Sequence, residues 1–277
     1  MAAVPKPDDV SLTVDQENKL REAIAQEQPL VGPLEPLSVL RPQYEGNVKG
    51  GFVKGVDDLG RRYKSMRRIR GDGNCFYRAF LFRLLERAVA GFKAGDERVL
   101  EEVASLKTKI KDSKGMLLSL GYQEIAIECF WESMVQALDG IVNKTQGQLE
   151  KDFSEARALL LADDCMAEYL VWYCRLLTSM HLKLNAPMYE PFITSGDDVA
   201  GFCQKEVEPM GMECEQLQIM ALCQYLETPV LIEYLDGQDF GEHLNHIVVP
   251  EGKDGAQQPI QLLYRPGHYD ILIPAHQ

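Results

Sequence analysis

Apolar residues recur at helical spacing through most of the chain, then give way to short apolar runs near its end. Phe52, Val56, Leu59, Tyr63 and Met66 follow one another at steps of four, three, four and three, which is one face of a helix. Val99, Val103, Leu106 and Ile110 repeat that spacing, and further helices are expected at 122–139, 147–160, 163–180, 197–207 and 213–226. Most of these positions read as core and carry no chemistry. In the last third, PVLIEYL (229–235), HIVVP (246–250), IQLLYR (260–265) and HYDILI (268–273) are short, apolar and bounded by turn residues, which predicts strands. Pro266-Gly267 predicts a tight turn, and so an antiparallel hairpin, between the last two. The expected fold class is α+β, a small, mostly antiparallel sheet packed against many helices.

The N-terminal pattern is thinner. Residues 1–12 are polar, with Pro5 and Pro7, and read as a disordered tail. Thr13 and Gln16 fit a capping box that opens a helix running to about Gln28. Its apolar face is only Val14, Leu20 and Ile24, so it gains little from packing on its own domain and suits a surface position or a partner. Pro29, Pro33, Pro36 and Pro42 predict a stiff, extended connector. The resulting division is a flexible arm with a short helix over 1–40 and one large domain over 41–277.

Charge and composition narrow the function. A net charge of −13 argues against a nucleic-acid partner, because binding phosphates needs a basic surface. No apolar run approaches the roughly 18 residues of a membrane span. The N-terminus MAAVPKPDDVSLTVDQ lacks the basic start and apolar centre of a signal peptide, so a cytosolic or nuclear place is expected. The seven cysteines form no CxxC pair and read as reduced thiols, with neither a disulfide scaffold nor a metal site. Asn143-Lys144-Thr145 matches a glycosylation sequon, read as chance in a chain with no secretory route. The run RRYKSMRRIR (61–70), with six basic residues in ten, is expected to be a solvated helix face just ahead of Cys75.

Candidate chemistry centres on Gly71-Asp72-Gly73-Asn74-Cys75-Phe76-Tyr77-Arg78-Ala79-Phe80. Two glycines and two turn-formers precede the cysteine, and Phe76, Phe80, Leu84 and Leu85 then share one helical face. Cys75 is thereby placed at a helix N-terminus, where free N–H groups favour a thiolate and can hold an oxyanion. Cys129, Cys165, Cys174, Cys203 and Cys223 sit inside helical apolar patterns and are expected to be inert core; Cys214 reads as structural or merely exposed. A phosphate loop is a poor alternative, since no GK[ST] follows.

A cysteine nucleophile needs a histidine to move its proton. His276 is next to the C-terminus, His181 ends a helix, His243 lies in a loop and His246 opens a strand. His268 follows the Pro-Gly turn, begins a strand and has Asp270 two residues on, so both side chains can share a face. That permits a Cys–His–Asp triad with the carboxylate orienting the ring. An ordinary hairpin with a solvent-facing His and Asp remains the alternative on spacing alone. Asp72 either shapes the oxyanion loop or caps its turn.

GDGNCFYRAF with the late LLYRPGHYDIL resembles the otubains, a branch of the ovarian-tumour-domain (OTU) deubiquitinases with papain-like chemistry. YLVWYCRLLTS (169–179) and FCQKEVEPM (202–210) match in order between them, and the likeness runs from about residue 16 to 273. The resemblance implies a papain-like OTU fold and hydrolysis of the isopeptide bond between ubiquitin and lysine, without metal or organic cofactor. It implies Cys75 as nucleophile, His268 as general base and acid, Asp270 as orienter, and Asp72 in the oxyanion loop. It also implies ubiquitin and polyubiquitin as partners, with some members preferring chains joined through lysine 48 and restraining ubiquitin-conjugating enzymes through an N-terminal arm, here Asp15–Leu40. Where the family carries Asp-His-x-His on its ubiquitin-facing surface, this chain has Glu215, Gln216, Leu217 and Gln218. A monomer that binds neither nucleic acid nor membrane is expected.

Overall fold

The computed structural model describes residues 19, 23, 24, 26–46, 49–142, 165–250 and 258–275. Six strands make one sheet: β1 Val31–Pro36, β2 Tyr63–Ile69, β3 Val230–Tyr234, β4 His246–Val249, β5 Ile260–Arg265 and β6 His268–Pro274. Their order is β1-β2-β6-β5-β3-β4. β3 and β5 run parallel, and every other neighbouring pair is antiparallel. Six helices of eleven residues or more are described: α1 Gly50–Arg62, α2 Cys75–Ala94, α3 Glu97–Ser119, α4 Glu124–Val142, α5 Cys165–Leu184 and α6 Gln216–Leu226. None of the described helices is long and apolar enough to cross a membrane. The fold is α+β, as the pattern predicts.

Both faces of the sheet are covered, which is why β5 and β6 carry consecutive apolar residues. Leu262 and Ile271 point into the larger core with α2, α3, α4, α5 and α6; Leu263 and Leu272 point into the smaller one under α1. α2 lies at the centre. Phe76, Tyr77 and Phe80 are fully buried on it, and each buried aromatic side chain contributes roughly 1.5–3 kcal/mol of transfer free energy.

The structure corrects the reading of residues 52–70. α1 ends at Arg62, and the basic run continues as β2, not as a solvated helix face. A bulge between Tyr63 and Ser65 resets the strand's alternation, so Tyr63 and Met66, three apart, still join Val56 and Leu59 in one core. Arg67 and Arg70 are buried: Arg67 pairs with Glu86, and Arg70 donates to the Gln28 carbonyl. Only part of the proline-spaced connector is extended: Val31–Pro36 is a strand of the sheet, while Leu37–Leu40 is a 3-10 turn and Arg41–Tyr44 a short helix. β1 pairs with β2, and Leu30, Val31, Leu37 and Leu40 are buried, so a division at residue 40 cuts through the body of the domain.

Helices at 122–139, 163–180, 197–207 and 213–226 have counterparts, the third as Val199–Phe202 continuing into a π-helical turn, Cys203–Val207. The stretch 147–160, the sequon and the Thr13–Gln16 capping box lie outside the described residues.

Topology sets up the site. β2 runs antiparallel to β6, so the C-terminal end of β2 lies beside the start of β6. The chain leaving Ile69 therefore delivers Cys75, six residues later, next to His268.

Candidate active site

Cys75 is the first residue of α2 and only 5% exposed. The turn ahead of it is tightly determined. Gly73 has φ +79°, and a Cβ there would come within 2.0 Å of the Gly211 carbonyl oxygen, so only glycine fits. Asp72 Oδ1 accepts from the Asn74 N–H at 3.0 Å, an Asx-type turn, and both its oxygens receive Arg78 at 2.8 Å. Asp72 thus shapes the turn before Cys75, with Arg78 as its anchor.

His268 and Asp270 share a face of β6. His268 Nε2 lies 2.9 Å from Asp270 Oδ1, which also accepts the Ile69 N–H at 3.0 Å, and Asp270 Oδ2 receives Arg265. Asp270 is fully buried with both oxygens satisfied. Burial alone would raise its pKa, but bonding to His268, the charges of His268 and Arg265 and the Ile69 amide together hold it below the usual carboxylate value.

The Nδ1 edge of His268 faces Gly71, where a Cβ would stand 3.7 Å away. Burial opposes the charged ring, yet hydrogen bonding to Asp270 and Cys75 outweighs it and raises the His268 pKa to about 9. At neutral pH the ring is therefore charged, between the Cys75 sulfur and the Asp270 carboxylate. This arrangement can carry a proton between sulfur and a leaving amine. A cleft of about 640 Å³ reaches His268, Asp270 and Gly71, bordered by Glu27, Gln28 and Glu35. Gln28 joins its walls, since its side chain accepts the Gly71 N–H at 3.2 Å.

The remaining expected residues are more scattered. Cys174, Cys203 and Cys223 are buried; burial pushes the first two thiols up to about 12 and about 11. Cys129 is exposed, not core, and Cys214 is buried. His243 bonds to Asp58, His246 is exposed, and His181 packs on Tyr189 and Tyr225. His276 and the Cys165 side chain lie outside the described residues. At the start of α6, Glu215 and Gln216 are exposed and Leu217 is half-buried. Gln218 is 3% exposed and turned inward, which removes it from any contact surface.

Sequence reasoning missed Asn74, Arg78, Arg175 and Arg265. Arg175 carried a signal, being the one charged residue of YLVWYCRLLTS.

A family model described as Peptidase C65 Otubain matches residues 23–274. The chain belongs to the otubain family of cysteine peptidases. This otubain is 37% identical over 260 residues to ubiquitin thioesterase OTUB1 of Homo sapiens, covering 93% of this chain and 88% of that protein. It is 34% identical over 268 residues to the ubiquitin thioesterase otubain-like protein of Caenorhabditis elegans, covering 96% and 88%. Among solved structures, h/ceOTUB1 in its complex with ubiquitin aldehyde and UBCH5B~Ub superposes with a TM-score of 0.82 at 33% identity, covering 94% of this chain and 96% of that one.

Proposed function

We propose that this otubain is a cysteine-type deubiquitinase that releases ubiquitin from lysine side chains and prefers chains joined through lysine 48 of ubiquitin. The observation that carries the reading is His268, bonded to Asp270 and reaching Cys75. The Cys75 thiolate attacks the carbonyl carbon of ubiquitin's C-terminal glycine, forming a C–S bond and an oxyanion that the Cys75 N–H faces. His268 protonates the lysine nitrogen as the C–N bond breaks, leaving a thioester. His268 then takes a proton from water as it attacks, the C–S bond breaks, and the thiolate returns. Asp270 keeps the ring oriented throughout, and Asp72 keeps the oxyanion loop in its turn.

Glu215, Gln216 and the exposed part of Leu217 form a surface offered to ubiquitin at the start of α6. Their difference from the family's Asp-His-x-His makes linkage the property to measure. Polyubiquitin chains are the expected substrates of a monomer working in the cytosol or nucleus, which suits free thiols such as Cys129. Restraint of ubiquitin-conjugating enzymes through the arm, Asp15–Leu40, is a second role. The relative solved with UBCH5B~Ub favours it.

A panel of the eight di-ubiquitin linkages tests the specificity. Lysine-48 di-ubiquitin should be cleaved at least tenfold faster than any other; equal rates across the panel would refute the preference and leave the chemistry standing.

A further inference from the structure

Behind the nucleophile loop lies a cation whose hydrogen bonds reach no carboxylate. Arg175, in α5, is fully buried. Its Nη1 donates to the Val207 carbonyl at 2.9 Å, and its Nη2 to the carbonyls of Met212 at 2.6 Å and Gly73 at 3.0 Å. Asn74 Oδ1 accepts from Nε at 3.2 Å and from Nη2 at 2.7 Å, and takes the Gly211 N–H at 2.9 Å as well. The guanidinium also lies 4.6 Å from the centre of the Tyr77 ring. One side chain therefore ties residues 73–74, just ahead of Cys75, to the 207–212 segment.

Two features separate this from an ordinary structural arginine. The first is charge. A buried guanidinium loses its hydration, and the usual remedy is a carboxylate. Here the acceptors are neutral oxygens, and the nearby charges that reach Arg175 are already engaged, Asp72 by Arg78 and the Cys75 sulfur by His268. The second is position. The Gly73–Asn74 peptide is held at both ends, its carbonyl by Arg175 and its N–H by Asp72. The next N–H, that of Cys75, opens α2 and has no intrahelical acceptor. It is free to receive an oxyanion, and the charge that an oxyanion brings is the one Arg175 lacks.

We propose that Arg175 is a positioning residue for the peptidase reaction, holding Gly73–Cys75 in oxyanion-binding form and placing an uncompensated positive charge behind the oxyanion. The inference rests on Cys75 being the nucleophile.

The test compares wild type with Arg175→Lys, Arg175→Gln and Asn74→Asp. Asn74→Asp keeps the acceptor's shape and neutralises the cation in place, so it serves if Arg175→Gln fails to fold. The readouts are kcat and KM on a fluorogenic ubiquitin substrate, the affinity of ubiquitin aldehyde, whose hemithioacetal carries an oxyanion, and alkylation of Cys75 by iodoacetamide, which forms none. Arg175→Gln and Asn74→Asp should lower kcat roughly 10- to 100-fold and weaken the aldehyde in proportion, with KM and alkylation within about threefold of wild type. Arg175→Lys should recover part of the loss. Wild-type kcat and aldehyde affinity in Asn74→Asp, or equal loss of aldehyde binding and alkylation in Arg175→Gln, would overturn the inference and leave the deubiquitinase reading intact. A wild-type protein inert to ubiquitin aldehyde would remove both.

Discussion

Cys75, His268 and Asp270 were legible because local rules place them: a glycine-rich turn puts a thiol at a helix start, and a two-residue step puts His and Asp on one strand face. The protonation of His268 needed the fold, since it depends on Asp270 being buried among Ile69 and Arg265. A His pKa raised to about 9 means that the folded protein holds this proton where the unfolded chain, with its ordinary value of 6.5, has lost it. The stabilisation is fully present below pH 6.5 and is lost as pH rises through about 9. Asp270, with its lowered pKa, contributes above its ordinary 3.8, and that contribution is lost as pH falls through the lowered value. Because the imidazolium delivers a proton to the leaving amine, kcat/KM for a ubiquitin–lysine isopeptide should fall on the alkaline side near pH 9. Asp270→Asn should move that limb toward pH 6.5, and a limb that stays in place would show that the carboxylate does not hold the proton. Arg175 stayed hidden at this scale, because its acceptors at 207 and 212 are far along the chain.

At the scale of elements, strands bounded by turns were readable and β2 was not. Its arginines look solvated until their acceptors at Glu86 and Glu35 are brought up by the fold, and its bulge prolongs the helical spacing of α1. The same junction holds a buried ionic knot. Glu233, fully buried on β3, accepts from Arg62 and from the Tyr63 hydroxyl at 2.7 Å, and Asp58 accepts from Arg62 at 2.7 Å and from the Leu244 N–H at 3.0 Å. The knot fastens the end of α1 to the sheet. Glu233→Ala leaves Arg62 and Tyr63 without their shared acceptor. Arg62 is 30% exposed and partly rehydrated, so the cost should sit at or below the low end for a broken buried pair, about 2–3 kcal/mol. Urea denaturation reads this as a lower midpoint at unchanged slope.

For the whole molecule, the sequence-based division at residue 40 and the sheet give different expectations for truncation. Residues 28–40 supply β1, buried side chains and the Gln28 strap on Gly71. Removing residues 1–26 should leave stability within about 0.5 kcal/mol, since of the described residues there Lys19, Ala23 and Gln26 are exposed and Ile24 is only half-buried. Removing residues 1–40 takes away Leu30, Val31, Leu37 and Leu40, on the order of 6 kcal/mol or more of burial against a typical total of 5–15, and should leave the domain unfolded. Thermal melts of the two truncations decide between the divisions. Cys75 acting on ubiquitin is the central claim, and a ubiquitin probe with a C-terminal electrophile tests it most directly. The wild-type chain should form one covalent adduct, seen by intact mass, and Cys75→Ala none. An unlabelled wild type, or a Cys75→Ala protein labelled equally, would contradict it.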